Sequence, residues 1–112
     1  MRAKASGTSG SEAPSGGPVC VVWRAETKPG QNDVFESLLR DLACAVRGEE
    51  AGCTSYLVTR ALGSRRHFAV HARFLDWTAF TGHADTPHFS RVAPRLSALM
   101  ASPVGVEIFF EV

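Results

Sequence analysis

The chain predicts an α+β fold of the ferredoxin-like β-α-β-β-α-β type, built on one antiparallel four-stranded sheet. Three observations predict it. Four stretches have the alternation or apolar content of strands, an i, i+3, i+4 apolar stripe follows the first, and two capped helical segments separate the third from the fourth.

Val19 to Glu26 opens the order as a strand, with Val19, Val21, Trp23 and Ala25 on one face and Cys20, Val22, Arg24 and Glu26 on the other. Lys28-Pro29-Gly30 breaks it. From about Gln31 to Arg47, Val34, Phe35, Leu38, Leu39, Leu42, Ala45 and Val46 form the apolar stripe of an amphipathic helix, which ends over Gly48 to Gly52. Cys53 to Ala61 and His67 to Leu75 read as strands hairpin-paired across Gly63-Ser64, with Phe68, Val70, Ala72 and Phe74 sharing one face. Asp76 is an N-cap for a short helix ending near Gly82-His83. Thr86 caps the next, with Pro87 at its first position, and that helix runs to about Met100 with Phe89, Val92, Leu96 and Leu99 inward. Pro103 to Val112 closes the order as a strand.

Composition sets the boundaries. A chain of 112 residues, 45% hydrophobic and with formal net charge +1, holds one small globular domain, residues 18–112. Residues 1–17 are rich in Gly and Ser, contain no apolar run, and read as a disordered tail and not a secretory signal. Basic and acidic side chains balance in the body, so no footprint for nucleic acid or an anionic membrane is present. Cys20, Cys44 and Cys53 are odd in number and lack CxxC spacing, which implies reduced, mostly buried thiols in a cytoplasmic protein. Two helices can cover only one face of the sheet, yet Cys20, Val22, Ala69 and Phe109 give the other face apolar character. A homodimer packed through that face is the expected solution.

All four histidines fall between residues 67 and 88. His67 and His71 share a strand face with Arg73, which suits a solvated or interface patch. His83 and His88 bracket the junction of the last two helices. No Asp, Glu or Cys stands near them at a recognised ligand spacing, so no metal is expected. Nor is there a phosphate loop or dinucleotide fingerprint to bind flavin or nicotinamide.

Several stretches together carry a resemblance. The strand leading into Lys28-Pro29-Gly30, Val46 to Cys53 with Tyr56, Asp76 to Phe80 leading into His83, and Thr86-Pro87-His88-Phe89 resemble the antibiotic biosynthesis monooxygenase family, over residues 19–112. The resemblance implies a dimeric α+β barrel with a pocket in each subunit. It also implies cofactor-independent oxidation of an electron-rich aromatic, such as an anthrone, quinol or polyketide-like phenol, by O2. Such chemistry needs a base, a dry aromatic-lined pocket and donors for an oxyanion. His83, on the helix face shared with Phe80, is the expected base or oxyanion partner. His88, in the first turn of its helix, is a neutral donor or acceptor fit to polarise a carbonyl. Trp23, Tyr56, Phe68, Val70, Ala72, Phe74 and Phe80 are the expected substrate slot.

The chain departs from the family pattern at particular places. Quinol-monooxygenase relatives commonly carry a Glu where this chain has Ala72, and the family's usual Pro before the glycine of the second strand is Ala51 here. Relatives that degrade haem carry an Asn where it has Trp23 and a Trp where it has His83. The missing carboxylate at Ala72 keeps a non-redox tailoring enzyme, a cyclase or isomerase, in view, alongside a non-catalytic small-molecule-binding dimer.

Overall fold

The computed structural model describes residues 17–112. The tail assigned to residues 1–17 lies, but for Gly17, outside them. The elements are β1 (Val19–Glu26), α1 (Asn32–Glu49), β2 (Cys53–Arg60), β3 (His67–Phe74), α2 (Trp77–His83), α3 (Pro87–Leu99) and β4 (Gly105–Phe110). The β-α-β-β-α-β order expected from the sequence is present, its second helical part divided into α2 and α3.

Between β1 and α1, Gln31 N–H donates to the Lys28 carbonyl at 3.1 Å. Gly30 takes φ 80° in that turn, a conformation costly for a side chain. The helix then runs two residues past its expected end, through Gly48, because Gly costs only about 1 kcal/mol in a helix and the next turn is exposed. Phe35, Leu38, Leu39, Leu42, Ala43 and Val46 form its buried face. Val34, expected inside, is exposed, and Ala43 takes the inward place.

All strand pairings are antiparallel, in the order β2-β3-β1-β4. Register sets the inner face as cross-strand rows. Val58, Val70, Trp23 and Val106 make one, and Tyr56, Ala72, Val21 and Ile108 the next. α1 packs over β2 and against α3, so the helices cover this face and leave the other open.

On the open face, Leu57 and Phe109 are 56% and 52% exposed. Arg73 forms a two-pronged pair with Glu111, at 2.7 and 3.1 Å, and its guanidinium holds the Glu111 carboxyl below the usual carboxylate range. Arg24 pairs with Glu107. His67 bonds the Ser64 hydroxyl at 2.6 Å, while His71 is exposed. The cysteines are less buried than expected: Cys44 is exposed and Cys20 and Cys53 are half-buried, since Cys44 falls on the solvent side of α1. Among the described residues no helix is long and apolar enough to cross a membrane.

Candidate active site

A cavity of about 520 Å³ lies between the inner face of the sheet and the three helices. Its floor is Val21, Trp23, Tyr56, Val70 and Ala72 from those two cross-strand rows of β1, β2 and β3, with Phe74 from the next row. Ala72 leaves the depth there, because its neighbours across the strands are larger. Leu39 and Leu42 of α1, Trp77, Phe80 and His83 of α2, and Phe89 and Leu96 of α3 close it. A larger groove beside α1 and β2 is open to solvent and edged by Arg40, Arg47, Arg60 and Arg65, so it cannot hold an apolar molecule away from water.

Both helix caps expected from the sequence position this site. The Asp76 carboxylate accepts from Ala79 N–H at 2.8 Å and starts α2. The Thr86 hydroxyl accepts from Phe89 N–H at 3.3 Å and donates to the His83 carbonyl at 2.8 Å. One threonine thereby fastens the end of α2 to the start of α3, fixing His83 relative to His88. Gly52 brings α2 close to the sheet: a Cβ there would sit 2.6 Å from the Ala79 Cβ.

His83 stands in the cavity wall within a cage of rings. Phe89, Phe74 and Tyr56 have centroids 4.9, 5.6 and 5.7 Å from its own. Its Nδ1 lies 3.0 and 2.9 Å from the two oxygens of Glu50. An ionised carboxylate only accepts, so Nδ1 of His83 is the donor in this contact. His88 Nε2 reaches the same Glu50 at 2.5 Å. The three side chains are 9–12% exposed.

Glu50 is the functional candidate that the histidine spacing did not disclose. It lies 33 and 38 residues from its partners and joins them only through the fold. The sequence shows no acidic residue at a recognised ligand spacing from these histidines, and the fold brings Glu50 to both. A signal was present, since a carboxylate just past the C-terminus of α1 opposes the helix dipole and has no local reason to be there.

The remaining expected residues divide. Trp23, Tyr56, Val70, Ala72, Phe74, Phe80 and His83 all border the cavity. Phe68 does not: its ring packs 5.3 Å from Phe35 on the far side of Trp23, one strand repeat too distant to reach. His88 does not border it either, because its ring is turned to Glu50. Trp77 and Phe89 join the wall instead. Burial pushes the Tyr56 phenol well above the usual tyrosine range, so it stays a hydrogen donor throughout the neutral range. Burial likewise pushes the Cys53 thiol up, which argues against a nucleophile.

Residues 18–95, a span holding Glu50, His83 and His88, match the model of a family described as antibiotic biosynthesis monooxygenase. Among solved structures, a Caulobacter crescentus protein assigned provisionally to that activity is 26% identical, with TM-score 0.82 over 87% of this chain and 92% of its own. A Pseudomonas aeruginosa protein is 25% identical, with TM-score 0.78 over 86% and 95%. A Mycobacterium tuberculosis protein, at 23% identity and TM-score 0.79 over 85% and 95%, shares the fold. No functionally curated protein matches the chain.

Proposed function

The chain belongs to the antibiotic biosynthesis monooxygenase family, and from that premise we propose that it oxygenates an electron-rich aromatic, an anthrone, quinol or polyketide-like phenol, with O2 and without flavin, haem or metal. The observation that carries the reading is His83, set in the wall of an apolar cavity with Nδ1 held by Glu50 and Nε2 left to act as a base.

In this scheme Nε2 takes a proton from the activated carbon or hydroxyl of the substrate. Glu50 stabilises the imidazolium that forms, as a buried carboxylate does for a base it orients. The substrate anion passes one electron to O2, and the resulting radical pair joins as a peroxide. His83 returns its proton to that peroxide. For an anthrone, loss of the second hydrogen from the same carbon then expels water and leaves a carbonyl. The product gains one oxygen atom and loses two hydrogens, and the other oxygen atom leaves as water. The Tyr56 hydroxyl and the Trp23 indole N–H are the donors that orient the oxyanion, and the ring-lined wall excludes water.

The reading includes a homodimer packed through the open sheet face. Its support is the exposed Leu57 and Phe109 beside Val22, together with the Arg24–Glu107 and Arg73–Glu111 pairs, which neutralise the face and let a second copy pack without burying lone charges. Three unpaired cysteines fit a reducing cytoplasmic setting.

The test is oxygen uptake by chelator-treated, flavin-free protein on a panel of anthrones and naphthohydroquinones, each against its autoxidation blank. Acceleration that His83→Ala abolishes is the expected result. No acceleration on any substrate that binds would overturn the oxygenase and leave a non-redox cyclase or isomerase, which uses the same base without O2.

A further inference from the structure

We infer that Glu50, His83 and His88 form a binding site for a divalent first-row transition cation, and that its occupation silences the base. Nδ1 of His83, Nε2 of His88 and a carboxylate oxygen of Glu50 lie within 4.8 Å of one another. Both imidazoles converge on one carboxylate: Nδ1 of His83 lies 3.0 and 2.9 Å from its two oxygens, and Nε2 of His88 lies 2.5 Å from Oε2. Two imidazoles and one carboxylate are a donor set that suits Zn²⁺ and its neighbours. Ligand atoms about 2.0–2.2 Å from such an ion stand roughly 3–3.5 Å apart, so the two nitrogen–oxygen distances, at 2.9 and 2.5 Å, would lengthen by up to about 1 Å to admit one.

The supports are independent of one another. Glu50 follows α1, His83 ends α2 and His88 lies in the first turn of α3, with the last two joined through Thr86. The side chains are 9–12% exposed, which shields the ion while leaving an approach for a completing water. The charge also suits the purpose, since one carboxylate, with two imidazoles that ligate in their neutral form, partly offsets a divalent ion.

The consequence for activity, unlike the binding, rests on the reading of His83 as the base. A cation on Nδ1 places the ring hydrogen on Nε2, so the nitrogen assigned as the base changes from acceptor to donor. The ion would then act as an inhibitor whose site is the catalytic dyad itself.

The experiment is a calorimetric titration of the chelator-treated full chain with Zn²⁺, with the histidine ring resonances followed by NMR. One Zn²⁺ per chain is expected, perturbing His83 and His88 and sparing His67 and His71. Glu50→Gln and His88→Gln should each weaken binding by about tenfold or more, while His71→Gln leaves it unchanged. Absence of binding, or perturbation of His67 and His71 instead, overturns the site; the wild-type spectra decide this even if a variant fails to fold. Zn²⁺ bound here should also stop oxygen uptake, and chelator should restore it. Uptake that continues with the site filled overturns the silencing. Zn²⁺ bound here by a protein that takes up no oxygen upholds the site and refutes the oxygenase instead.

Discussion

Glu50 grips Nδ1 of His83 with both carboxylate oxygens, at 3.0 and 2.9 Å, across 33 residues of sequence. The contact fixes the ring's tautomer and aim, so its removal should be felt in the chemistry more than in binding. Glu50→Gln keeps the shape but can present an amide N–H to Nδ1 and reverse the tautomer. We expect kcat to fall on the order of 10²–10³-fold with KM little changed. Steady-state kinetics on an accepted anthrone check this, and a comparable rise in KM would point to a structural role.

Gly52 and Ala79 define the closest approach of α2 to the sheet. Adding a Cβ at Gly52 brings it to 2.6 Å from that of Ala79, so something must move. Gly52→Ala should cost about 1–3 kcal/mol in denaturant unfolding and carry His83 away from Glu50. The pair Gly52→Ala with Ala79→Gly should recover most of the stability and activity, as contacting sites couple.

Tyr56 is the single tyrosine, which makes its titration readable without assignment. Burial raises its pKa, so the folded state holds the proton more tightly than the unfolded state does. The associated stability is fully present below the unfolded value of about 10 and is lost as pH rises beyond it. Tyrosinate absorbance should therefore appear only with alkaline unfolding. A reversible transition near pH 10 in folded protein would contradict this burial.

Phe109, half exposed on the uncovered sheet face, is the sharpest probe of the proposed dimer. Phe109→Asp places a charge in the apolar strip and should shift sedimentation from dimer to monomer without disturbing the cavity on the opposite face. Wild-type protein that sediments as a monomer at micromolar concentration would refute the interface.

The fold was legible in the sequence because its signals are local. Alternation in Val19 to Glu26, the stripe from Phe35 to Val46 and the caps at Asp76 and Thr86 each determine their own element, and the order of elements does the rest. The cavity floor was legible for the same reason, since Trp23 on β1 and Val70, Ala72 and Phe74 on β3 each fall on an alternating face of their strand. Phe68 shows the limit: period two identifies a face but not how far along it a cavity extends. Glu50 shows the other limit, because a long-range contact leaves no spacing to read. The first turn of its helix suits His88 to a substrate carbonyl, and only the position of Glu50 reveals where its ring turns.

The measurement that bears most directly on the central claim is the fate of isotopically labelled dioxygen. Chelator-treated, flavin-free protein is given an anthrone in unlabelled water, and the product is weighed by mass spectrometry against the uncatalysed blank. One labelled oxygen atom in the new carbonyl, formed faster than in the blank and no longer accelerated in His83→Ala, is the predicted result. A product without label, or a rate no greater than autoxidation, would contradict the oxygenase.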